Sequence, residues 1–121
     1  MREMKLIAML LAAIKAGENN AAFNISLIDP AVLNTDEKTR DRIAVLLQDE
    51  GYIKGLLVID GIDNMQESII RWGESKPSIT LKGYEYIATN DALRSTLKEL
   101  KKASLGIAAT LVNNAVCNMI K

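Results

Sequence analysis

A mostly helical α+β fold is what this sequence predicts, on three observations. Apolar residues recur at three- and four-residue spacing near the start, in the stretch 37–50, after residue 80 and toward the end. Between these stretches, a nearly continuous apolar run at 52–60 closes in β-branched Val58 and Ile59, and a shorter run follows at 69–72. The whole is 121 residues with 49% hydrophobic side chains, a length that fits one domain able to bury its own core.

The first helix is expected over residues 2–16. Ile7, Leu10, Leu11 and Ile14 fall at i, i+3, i+4 and i+7, one stripe of a packed helix, and Gly17 suits a left-handed terminating position. The order of Arg2 and Lys5 before an apolar run imitates an export signal, but Lys15 follows the run without a small-residue cleavage site. Residues 25–28 read as a short strand. Asp29-Pro30 reads as an N-cap with proline at the first helical position, opening a brief helix to Leu33. Asn34 or Thr35 is expected to cap the next helix, with Glu37 three residues after Asn34. Its buried stripe is Ile43, Leu46 and Leu47, and Gly51 ends it.

Residues 52–60 then read as a strand, Asp60-Gly61 as a turn with a polar loop to Glu67, and residues 69–72 as a second strand. Gly73 to Pro77 reads as a turn and Ser78-Ile79 as a last extended piece. Thr80 caps a helix over 81–89, with Leu81, Tyr84 and Ile87 or Ala88 on one face. A final helix begins near Asp91, charged to Lys102 and apolar thereafter, with Gly106 at the change of character.

Composition excludes much chemistry. The absence of histidine removes imidazole bases, Ser-His and Cys-His nucleophile pairs and histidine-ligated zinc. One cysteine, Cys117, leaves no disulfide scaffold and no multi-cysteine metal site. Ser95-Thr96-Leu97-Lys98 has the Ser-x-x-Lys spacing of penicillin-recognising enzymes without their partner motifs, and Asp60 to Asn64 departs from the calcium-loop pattern. The expectation is a non-enzyme with no cofactor, no metal and no small-molecule ligand. The apolar stretch 103–120 carries Ser104, Thr110, Asn113, Asn114 and Asn118, too polar for a membrane span, so a cytoplasmic location is expected.

The order helix, short helix, helix, β-hairpin, helix, long helix is that of a winged helix-turn-helix: α+β, mostly α, with a β-hairpin wing and a long C-terminal helix. The domain is expected over residues 1–90, with 91–121 as a helical extension of the same compact unit. Two steps carry a family resemblance. Asp49-Glu50-Gly51-Tyr52-Ile53-Lys54-Gly55 leads from the third helix into the wing, and residues 77–90, beginning Pro77-Ser78-Ile79-Thr80-Leu81-Lys82-Gly83-Tyr84, lead out of it. Here the chain resembles the YjcQ family of small winged-helix proteins, which implies a Gram-positive bacterial or phage setting. The resemblance brings no catalytic or ligand residues. It covers most of residues 1–102, and the apolar tail and the 60–68 loop read as additions to the family's pattern.

In a DNA-binding winged helix the third helix enters the major groove. Its outward face is expected to carry Lys38, Asp41, Arg42, Val45 and Gln48, with Arg40 flanking. Lys38, Arg42 and Gln48 are the candidates for base edges; Arg40, Arg71 and Lys76 are those for the backbone. Two features oppose this: the net charge is zero, and residues 35–50 hold three bases against five acids. A solvated helix face, an ordinary polar hairpin and a packing role for Trp72 explain the same residues. Residues 94–102, with Arg94, Lys98, Lys101 and Lys102 against Glu99, form the most basic segment and read mainly as a soluble helix face. In the tail, Leu105, Ala108, Val112, Ala115 and Met119, with Ala109 and Val116 beside them, form an apolar band suited to a homodimer interface or to packing within the chain. The expected partners are therefore double-stranded DNA and a second copy of the chain. The competing reading is a protein-interaction module that keeps the fold without a DNA site.

Overall fold

A computed structural model describes residues 2–18, 25–59 and 69–102. Helix α1 (Arg2–Gly17) is the centre of the molecule. Leu10, Leu11 and Ile14 are wholly buried, as the spacing predicts, but Ala8, Ala12 and Ala13 are at most 1% exposed as well. The helix is therefore enclosed on nearly every side instead of lying on one stripe. Its small alanines let neighbours approach from α3, α5 and β4, defined below. Gly17 stays inside the helix, and among the described residues only Asn34, Gly51 and Gly55 have positive φ.

Residues Ile25–Ile28 form a 3-10 turn, not the expected strand. Leu27 and Ile28 are both buried, so consecutive side chains point into the core, which a half-exposed strand does not allow. Asp29 caps α2 (Pro30–Leu33) by accepting from the Ala31 amide at 2.9 Å, as read from Asp-Pro. The next expectation fails for an instructive reason. Asn34 is in the left-handed conformation (φ 55°) and closes α2, so it is not available to open α3 (Glu37–Asp49). Asp36 does that, accepting from the Thr39 amide at 2.7 Å. Gly51, at φ 85°, ends the helix as predicted.

The buried face of α3 is Arg40, Ile43, Ala44 and Leu47. Leu46, expected in the core, is 47% exposed, because the helix is rotated so that Arg40 and Ala44 face inward.

The run 52–60 is broken into β1 (Ile53–Lys54) and β2 (Val58–Ile59), and the return into β3 (Ile69–Ile70) and β4 (Ser78–Ile79). All pairing is antiparallel, Ile53 opposite Ile79 and Val58 opposite Ile70. Between the two ladders the outgoing strand has three residues (55–57) and the returning one seven (71–77). The surplus of four is taken up by a 3-10 turn, Trp72–Glu74, so that Trp72 leaves the expected strand and enters the core at 5% exposure. Side chains complete the broken ladder. The Ser75 hydroxyl accepts from the Leu57 amide at 2.9 Å and donates to the Arg71 carbonyl at 2.8 Å.

Thr80 caps α4 (Leu81–Thr89), whose inward residues are Gly83 and Ile87. Leu81, read as part of that face, is 88% exposed. Asn90 accepts from the Leu93 amide at the start of α5 (Asp91–Lys102), whose Leu93 and Leu97 are fully buried, α5 packing chiefly on α1. The fold is thus mostly helical α+β with two small antiparallel sheets. No helix among the described residues is long and apolar enough to cross a membrane. The polar loop 60–67 and the proposed dimer band, Leu105 to Met119, lie outside the described residues.

Candidate functional site

The surface that carries most of the sequence candidates is built from α3 and the antiparallel arm β1–β4. At 3.6 residues per turn, positions 38 and 42 stack on the side of α3 opposite Arg40 and Ala44. Lys38 and Arg42 are both exposed there, with Asp49 two turns further on and Leu46 to one side. On the arm, Lys76 and Arg71 are exposed as expected. Arg71 faces Glu74 across 3.6 Å, both side chains more than half exposed, a geometry that contributes little to stability.

Two candidates are withdrawn by the structure. Arg40 is 5% exposed, and its guanidinium donates to the Ile28 carbonyl at 3.1 Å and to the Asp41 carboxylate at 2.9 Å. It also lies 5.5 Å from the centre of the Trp72 ring. Asp41 in turn accepts from the Trp72 indole N–H at 2.9 Å. Arg40 therefore joins α3, the 25–28 turn and the arm, and cannot reach a phosphate. Gln48 is the second. Its amide oxygen accepts from the Leu56 N–H at 2.9 Å and its amide nitrogen donates to the Leu56 carbonyl at 3.2 Å. The side chain pairs with the arm as a neighbouring strand would, so it is held against Leu56 and turned away from the bidentate contact with adenine expected of it. Replacing Gln48 with alanine is expected to lower stability by about 1–2 kcal/mol, through two lost bonds to partly buried backbone. A Gln48→Ala protein that melts like the wild type would show that the pairing is not holding the arm.

Sequence reasoning missed two cations. Lys54 is exposed on β1, and its signal was available, as the only charged residue among positions 52–59, on the strand face opposite buried Ile53. Lys82 donates to the Glu50 carbonyl at the end of α3, at 2.7 Å, and lies 5.4 Å from the Tyr52 ring centre. Tyr52 stacks on Tyr86 with centroids 4.2 Å apart. Burial pushes the Tyr86 phenol up, with the Tyr52 phenol adding to the shift.

Behind this surface, Lys15 donates to the Tyr84 hydroxyl at 2.7 Å and to Glu18 at 3.2 Å, while Glu18 accepts from the Ile79 amide at 2.9 Å. The Tyr84 hydrogen bond raises the Lys15 amine above its ordinary value, burial opposes this, and Glu18 adds to the rise. The cluster ties the end of α1 to β4 and α4. At the opposite end of α3, the Thr39 hydrogen bonds hold the Asp36 carboxyl below its ordinary value.

A family model described as YjcQ protein matches residues 7–119. The chain belongs to the YjcQ family. The match runs nearly to the end of the sequence, so the apolar tail is part of the YjcQ pattern and not an addition to it. Searches of curated proteins and of solved structures returned no match. Within the YjcQ match, the opening of the arm at Gly51-Tyr52 and its return at Thr80 meet directly. Thr80 donates its hydroxyl to the Gly51 carbonyl, and its amide to the Tyr52 carbonyl at 3.1 Å. The two sequence steps that carried the family resemblance are thus one joint in space.

Proposed function

We propose that this YjcQ protein is a winged-helix regulator that binds double-stranded DNA, with α3 as the reading helix and the β1–β4 arm as the wing. The observation that carries the reading is the outward line of Lys38 and Arg42 on a helix whose end is fastened to an arm bearing exposed Lys54, Arg71 and Lys76. The helix supplies groups for base edges, the arm supplies cations for the backbone, and Gln48 and the Asp41–Trp72 bond fix one relative to the other. A phage or prophage setting and a homodimer formed through the apolar tail complete the proposal. Two such heads on one duplex suit half-sites about one helical turn apart.

The test is fluorescence anisotropy with a random duplex pool at several salt concentrations. Five exposed cations per head set a slope of log K against log salt of up to about −4.5 for each head on the duplex, at roughly 0.9 per phosphate. Arg42→Ala is expected to weaken binding and make the slope shallower. Absence of binding at low salt would end the proposal.

A second reading has an observation of its own. Leu57 and Ile69 are 45% and 51% exposed, and the ladder puts half-buried Ile59 on the same outer face of the arm. Such a face suits a protein contact, which salt would barely weaken.

A further inference from the structure

With Gln48 held against Leu56, α3 offers no side-chain amide to adenine, and an A·T pair is left to be read from its other base. Thymine presents to the major groove one group that no other base has, the C5-methyl, and its recognition takes an apolar side chain. Leu46 is the one large apolar residue of α3 left exposed, at 47%. Its neighbour Val45 is half-buried against the core. A single exposed leucine needs no explanation of its own. The position of this one is what distinguishes it. Arg42 and Leu46 are four residues apart and so are neighbours on the helix surface, with Leu46 about 6 Å further along the axis. At about 3.4 Å per base pair, that step spans roughly two base pairs of a groove running along α3.

We propose that Leu46 is a specificity-determining residue that packs on the C5-methyl of a thymine in the major groove, roughly two base pairs from the base met by Arg42. This role for Leu46 rests on the duplex-binding reading, to which it adds a sequence preference. Leu46 carries no charge and neutralises no phosphate, so its share of binding does not depend on salt. Burial of one methyl against it is worth about a fourfold gain in affinity. Cytosine at the same place lacks the methyl and presents an amino donor, which sets the leucine against a polar edge.

Leu46 lies outside the core, so Leu46→Ala is expected to fold and melt like the wild type. Duplexes selected from the random pool by the wild type are expected to share a thymine that those selected by Leu46→Ala do not, with the same salt slope for both proteins. Leu46→Met, which keeps an apolar side chain, is expected to retain the thymine. The decisive step exchanges that thymine for deoxyuridine, which removes the methyl and nothing else. The wild type is expected to lose about fourfold in affinity and Leu46→Ala to lose nothing, so that the two changes do not add. Equal loss in both proteins, or no shared thymine, overturns the proposal and leaves duplex binding intact. A wild type that binds no duplex at low salt overturns both.

Discussion

Replacing Trp72 with alanine is expected to destabilise the fold by about 3–5 kcal/mol, the usual cost of emptying a large aromatic site. The indole is 5% exposed and stands at a junction of three elements, so its removal acts on more than a cavity. Asp41 loses the N–H that it accepts at 2.9 Å, and the buried Arg40 guanidinium loses the ring beside it. Trp72→Phe separates these effects. Phenylalanine keeps most of the apolar volume but loses the N–H donor and part of the bicyclic ring, so at least about 1.5–3 kcal/mol is expected, the range for a hydrogen bond to a charged group. Urea melts followed by circular dichroism read both. An alanine variant that loses less than about 1 kcal/mol would show that the arm is held to α3 by something other than this residue.

The second large effect reverses an intuition. Gly83 sits inside α4, where alanine ordinarily gains about 1 kcal/mol by helix propensity. Here a Cβ would land on the Tyr52 carbonyl oxygen and press against the Ile79 methyl at 2.7 Å. The carbonyl is part of the joint with Thr80 and has no rotamer to change. Gly83→Ala is therefore expected to destabilise by at least about 2 kcal/mol, in the range of overpacked cores. Leu81→Ala, two residues away and 88% exposed, is expected to stay within about 0.5 kcal/mol of the wild type. Thermal melts of the pair give the answer, and a neutral or stabilising Gly83→Ala would mean that α4 does not approach the arm so closely.

The sequence showed the sites where local chemistry acts alone. Asp29-Pro30, Gly51 and Thr80 each bound a helix where expected, because cap and turn preferences need no tertiary partner. It misled where one residue had two local uses. Asn34 is a plausible opener of α3 and an equally good left-handed closer of α2, and only the distance between the two helices decides. The same applies to the candidate site. Arg40 and Gln48 have side chains suited to nucleic acid, and nothing in their spacing reveals that one satisfies the Ile28 carbonyl and the other pairs with Leu56. Exposure of Leu46 and burial of Arg40 are one fact, a rotation of α3 by part of a turn. Hydrophobicity alone places that rotation wrongly, because a buried arginine with hydrogen-bonded partners contradicts the usual pattern.

The central place of α1 has a consequence for how the chain is made. Leu10, Leu11 and Ile14 leave the ribosome early, yet the helix that covers them most extensively, α5, contributes Leu93 and Leu97 more than seventy-five residues later. At typical synthesis rates this apolar helix waits roughly 5 to 15 seconds for that cover. The earliest helix is thus fully covered only late, and premature release or truncation before α5 would leave it in a form that invites aggregation.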